Sequence, residues 1–174
     1  RSTLFPYTTL FRSASISIPN SVTSLGSSAF QKCTALTTAS IGNGIKKISD
    51  NDFKDCTALT NVHIGSAVET IGYAAFSGCT NLAEINWSNN IKKLDTYAFN
   101  DCTALTYAEL SSSLEEMGVS VFSDCINITS VTINDGCAVV GNSAFYNCKK
   151  LTAISIPNSV TSLGSSAFQK CTAL

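Results

Sequence analysis

The stretch Ser27–Leu36, SSAFQKCTAL, decides the fold because its core keeps returning, as AFSGCTNL at 75–82, AFNDCTAL at 98–105 and AFYNCKKL at 144–151. Phenylalanine recurs as Phe30, Phe53, Phe76, Phe99, Phe122, Phe145 and Phe168. Cysteine recurs as Cys33, Cys56, Cys79, Cys102, Cys125, Cys148 and Cys171, and every step in both series is 23 residues. A fixed period of this size marks a repeat solenoid, in which each unit is stabilised by stacking on its neighbours. Ala14 to Leu174 holds seven such units.

Outward from the Phe–Cys core, each unit has two further apolar pairs. The first falls two residues apart, as in Ile16/Ile18, Ala39/Ile41, Val62/Ile64, Ile85/Trp87, Ala108/Leu110, Val131/Ile133 and Ile154/Ile156. Apolar residues alternating with polar ones predict a short strand with one buried face, and 23-residue stacking predicts a parallel sheet. Turn residues follow (PNS at 19–21, GNG at 42–44, NDG at 134–136), then pairs such as Ile45/Ile48 and Ile91/Leu94 that predict a second short extended segment. The spacing of Ala29, Phe30, Cys33 and Leu36 predicts one or two turns of α- or 3₁₀-helix packed back on the strands. The expected fold class is therefore an α/β-type solenoid of seven units, each with a strand, a second extended segment and a helical turn.

The 174 residues are 44% hydrophobic and 13% charged, with a net charge of −1, as an ordered chain with a buried core requires. Without a basic block or an acidic tail, binding to nucleic acid or an anionic membrane by bulk charge is not expected. No apolar run reaches the ~18 residues of a membrane span, so no membrane insertion is expected of this chain. Residues 1–13, RSTLFPYTTLFRS, fit no phase of the repeat. Thr3–Ser13 resembles the conceptual translation of a sequencing adapter, so residues 1–13 are read as a non-native segment and left out of the fold. The alternative is an atypical cap whose Phe5, Leu10 and Phe11 cover the first unit. Residues 16–36 and 154–174 are identical, and neither end has the polar outer face that closes a solenoid. Residues 14–174 are accordingly expected to be an uncapped slice of a longer array.

The pattern Leu-x-x-Ile-x-Ile-Pro-x-x-Val-Thr-x-Leu-Gly-x-x-Ala-Phe-x-x-Cys-Thr-x-Leu of residues 151–174 closely resembles the BspA-like, Treponema-type leucine-rich repeat, and the resemblance covers all seven units. The general leucine-rich pattern puts Asn or Cys a few residues after the strand, whereas the Cys column here precedes the next Leu. Two further departures stand out. Ile126 and Ile128 replace Thr and Leu in the fifth unit, and Trp87 replaces an aliphatic strand residue, which implies local repacking within the same fold. The resemblance implies a non-catalytic protein-binding or adhesion module of a secreted or cell-surface protein. Its partner would be a host matrix protein or another cell surface. A structural spacer and an intracellular interaction scaffold are the alternatives.

The cysteines sit in an apolar column and are read as buried free thiols. Neighbouring units could bring them within disulfide range, but seven in a row cannot all pair. Metal binding lacks a CxxC or a nearby His. Lys46–Lys47, Glu69, Lys92–Lys93 and Glu115–Glu116 share two columns and alternate in sign, which favours in-register stacking. The outward strand positions of the central units, on the expected concave face, carry Asn61, His63, Glu84, Asn86, Tyr107 and Glu109, against Ser, Thr and Ala toward the ends. These six are the candidate binding residues. His63 beside the Glu84 and Glu109 columns could be imagined as an acid–base pair, but no nucleophile–base set recurs. No phosphate loop or other cofactor motif appears, so neither catalysis nor a cofactor is expected.

Overall fold

The structure, a computed structural model, describes residues 14–174. The adapter-like segment and its alternative as a cap both fall on residues 1–13, outside the described residues.

The alternating apolar pairs form the predicted first row of strands. These are β1 (Ser15–Ile18), β2 (Thr38–Ile41), β4 (Asn61–His63), β6 (Glu84–Asn86), β8 (Tyr107–Glu109), β10 (Ser130–Thr132) and β12 (Ala153–Ser155). The second apolar pair ends in a two-residue strand in six units: β3 (Lys47–Ile48), β5 (Thr70–Ile71), β7 (Lys93–Leu94), β9 (Glu116–Met117), β11 (Val139–Val140) and β13 (Ser162–Leu163). All pairings are parallel and keep the 23-residue register, as in Val62 opposite Ile85 and Leu94 opposite Met117. The second row is one continuous six-stranded sheet, whereas the first row divides into β1-β2-β4-β6 and β8-β10-β12.

Between the rows lies a dry column of rings. Phe30 through Phe168 stack face to face, centroid to centroid at 5.1–5.6 Å with planes within 13° of parallel. Phe53, Phe76, Phe99, Phe122 and Phe145 are fully buried. Phe168 and Cys171 are half-buried, since among the described residues the last coil has a neighbour on one side only.

The third side of each coil departs from the helical expectation: among the described residues there is no α- or 3₁₀-helix. The three-residue Phe-to-Cys spacing is met instead by consecutive turns with two left-handed residues per coil, such as Asn51 and Asp55 at φ near 60° or Ser120 and Asp124. The reason is where the N–H groups go. A helix sends each N–H back along its own axis. Here alternate N–H groups reach the next coil, with Asn51, Phe53 and Asp55 donating at 2.8 Å to the carbonyls of Tyr73, Ala75 and Ser77. The N–H groups between them close local turns, as Lys54 does to Asn51 and Cys56 to Phe53. All three sides of the coil thus bond to the neighbouring coil. The left-handed residues, unfavourable for a chain with side chains, are offset by that pairing.

Charged columns reinforce the register. Lys92 reaches back to Glu69 and Lys93 forward to Glu116, both at 3.2 Å. Lys47 turns to Asp50 within its own coil, because its column neighbour is the uncharged Thr70. These pairs are exposed, so replacing Lys92 and Lys93 by Glu is expected to lower stability by about 1–2 kcal/mol in a low-salt urea melt. The difference should shrink at about 1 M salt, where screening is strong.

Candidate functional site

The six candidate residues fall in two adjacent columns on the outer face of the first strand row. One column runs Asn61, Glu84, Tyr107 and the other His63, Asn86, Glu109. Strand alternation puts them there, because Val62, Ile85 and Ala108 between them are buried in the core. Asn61 and Glu84 hold each other, the amide donating to the carboxylate at 2.9 Å. His63 and Glu109 are exposed two coils apart, with Asn86 between them. No hydrogen bond joins His63 to Glu84 or Glu109, so the structure does not assemble the imagined acid–base pair. Tyr107 is the most exposed large hydrophobic side chain of this face, at 52%.

The break in the first row runs through these residues. In the intact ladder, Ile64 N–H donates to the Asn86 carbonyl at 3.3 Å and Leu110 N–H to the Thr132 carbonyl at 3.2 Å. The corresponding bond from Trp87 N–H to Glu109 is missing, as is that from Ile133 N–H to Ser155 in the paired β10–β12 ladder, so the break is marked by the absent β6–β8 pairing itself. The bond from Thr106 to Ala83 that would match Thr60 to Thr37, Ala83 to Thr60 and Thr129 to Thr106 is absent at this step alone among the described residues. Trp87 accounts for the gap. It stands in a column otherwise filled by Ile18, Ile41, Ile64, Leu110, Ile133 and Ile156, and an indole is too large for that space. Its ring packs edge-on against Phe99, centroids 5.2 Å apart at 64°. The wedge parts the strand row while the second row stays closed.

The seam opens a hollow of about 440 Å³ bordered by Asn86, Trp87, Asn89, Tyr107, Glu109 and Asn134. Trp87 and Asn89 also border a second hollow of about 430 Å³ that includes His63. Asn134 borders a third, of about 400 Å³, toward Asn158. The sequence shows Trp87 as a departure from its column. The seam itself could not be read there, because it arises from how the indole fits against a ring twelve residues away.

The thiols take no part in this site. All eight are free, and each Sγ from Cys56 to Cys171 in the 23-residue series donates to the carbonyl of the phenylalanine one coil back, as from Cys102 to Phe76 at 3.3 Å. The same carbonyl also accepts the N–H of the cysteine in its own coil, so both lone pairs are used. Burial pushes Cys56 and Cys125 up to about 12, which keeps them protonated as donors and chemically inert at neutral pH. Among the described residues no group of three or more His, Cys, Asp or Glu could hold a metal ion, and no helix is long and apolar enough to cross a membrane.

Comparison with known proteins agrees with this architecture. A leucine rich cell surface protein from Faecalibacterium prausnitzii is 29% identical with a TM-score of 0.85, over 94% of this chain and 46% of that one. A leucine-rich repeat protein from Eubacterium ventriosum is also 29% identical, with a TM-score of 0.82 over 91% of this chain and 43% of that one. The chain thus spans a little under half the length of these two structures. The Leucine Rich Repeat protein of T. pallidum, 23% identical with a TM-score of 0.62 over 92% of this chain and 83% of that one, shares the fold. No curated protein matches the chain. The BspA type leucine rich repeat region matches residues 4–118 and 46–174 in six copies, and the chain belongs to that family.

Proposed function

We propose that this chain is a non-catalytic binding module of a secreted or cell-surface protein, attaching through the outer face of its first strand row to a host matrix protein or to another cell. The observation that carries the reading is the contrast along that face. His63, Asn86, Tyr107 and Glu109 stand exposed in the central coils, while the same columns hold Ser15, Ser17, Thr38, Ser40, Ala153 and Ser155 toward the ends. Solenoids offer extended surfaces of this kind to their partners. The 29%-identical relative from Faecalibacterium prausnitzii is described as a cell surface protein, which supports the location. In this reading residues 14–174 are part of a longer array.

Replacing His63, Tyr107 and Glu109 together by Ala is expected to weaken binding to immobilised matrix proteins or to whole cells by about tenfold or more. The thermal melt should stay within a few degrees, because all three side chains are exposed. Undiminished binding by the triple variant would place attachment on another surface, and no binding by the unaltered chain would favour the spacer reading.

A further inference from the structure

We propose that the seam between β6 and β8 is a binding site for a neutral pyranose oligosaccharide, held against Trp87 and Tyr107. The inference rests on the reading of this strand face as a binding surface and names the chemistry of its ligand. A sugar ring presents apolar C–H groups on its faces and hydroxyls around its rim, so it needs an aromatic surface with donors and acceptors at the edges. The seam supplies both. Tyr107 is half exposed, and Trp87 is partly exposed with its ring fixed by Phe99. Around them the Asn86 and Asn89 amides have no hydrogen-bond partner among the described residues, and the Glu109 carboxylate is exposed.

Two observations narrow the ligand. First, the hollow borders Glu109 and no Lys or Arg, and Glu84 lies on the same strand row, so an anionic sugar would be repelled. Second, the central hollow shares Trp87 and Asn89 with one neighbour and Asn134 with the other, forming a row suited to several linked sugars.

Trp87 is the only tryptophan of the chain, so its emission reports on the site alone. The test titrates the protein with neutral oligosaccharides (chitotriose, mannotriose, cellotriose and maltotriose), then with the best binders from an array of neutral glycans. A saturable emission change is expected with at least one of them. Tyr107→Ala and Glu109→Gln keep the reporter and should weaken it about tenfold or more, whereas Tyr73→Ala, away from the seam, should not. A parallel arm measures binding to a matrix glycoprotein before and after enzymatic removal of its glycans. Loss of binding on deglycosylation supports the inference. Emission unmoved by every neutral oligosaccharide overturns it, and undiminished binding to the deglycosylated protein would then leave the protein-binding reading standing. Silence in both arms overturns both.

Discussion

Phe99→Ala is expected to lower the unfolding free energy by about 3–5 kcal/mol in a urea melt, near the upper range for a buried aromatic truncation. Phe99 is fully buried and sits in the middle of the ring column, stacked on Phe76 at 5.2 Å and on Phe122 at 5.5 Å. It also supports the edge of Trp87. Truncation therefore removes three ring contacts and leaves a void that neighbours pinned by backbone ladders cannot close. The half-buried Phe168 has one stacking partner, so Phe168→Ala should cost less than half as much. Equal losses at the two positions would mean that the column does not act as a stacked core. A loss at Phe99 below about 0.5 kcal/mol would mean that it is not core at all.

The second large effect comes from Asp52, which occupies a column otherwise filled by Ala29, Ala75, Ala98, Val121, Ala144 and Ala167. Its side chain is buried, and desolvation raises its pKa to about 6. Donation from the Ser49 N–H at 2.7 Å and the Ala29 N–H at 3.3 Å, and the nearby Lys47, pull the other way, while Asp50 adds to the rise. The folded pKa lies above the ordinary value of 3.8, so the native state holds this proton more tightly than the unfolded chain does. Asp52 thus favours the fold at low pH, and stability falls as pH rises from about 4 to about 6. Two pKa units correspond to about 2–3 kcal/mol. Asp101, also raised by burial and by Asp124 and Asp55, adds a contribution of the same sign. The comparison must therefore be with Asp52→Asn, which should flatten the slope between pH 4 and 6. An unchanged slope would remove Asp52 as its source.

Asp52 is explained by the residue three positions before it. In that column Gly72, Asp95, Gly118, Gly141 and Gly164 each donate N–H to the preceding coil at 2.8–2.9 Å. The approach is so close that a Cβ at Gly141 would overlap the Gly118 carbonyl. At Ser49 that N–H turns to Asp52 instead, and the Ser49 hydroxyl takes over the bond to the Leu25 carbonyl at 2.9 Å. The pair is one local substitution for the inter-coil N–H bond that the other residues of this column make. Ser49→Gly with Asp52→Ala should therefore exceed the wild type in stability at pH 7, and Asp52→Ala alone should recover less, because it strands the Ser49 N–H.

What the sequence made legible was whatever depends on period alone. The strand row, the second extended segment and the Phe column follow from apolar residues recurring every 23 positions, and the structure repeats them coil after coil. The helical turn was misread for a physical reason. Spacings of three between Phe30 and Cys33 and between Cys33 and Leu36 fit a helix and a run of turns equally well, and the choice is made by hydrogen bonds to the next coil. The left-handed positions carry Asn51, Asp55, Tyr97 and Ser120, a mixture with no clear glycine signal. The outer-face columns were readable from strand alternation. The pairing of Asn61 with Glu84 and the parting of the strands at Trp87 were not, because both depend on side-chain fit between coils.

The account rests on Trp87 parting β6 from β8 while the coils stay stacked on their other sides. Native-state amide hydrogen exchange followed residue by residue tests this directly. The amides of Trp87 and Thr106 should exchange at least about a hundredfold faster than those of Ile64, Leu110, Thr60 and Thr129, which occupy the same columns in bonded ladders. Protection of Trp87 and Thr106 equal to that of their column neighbours would show the strand row to be continuous and would contradict the seam.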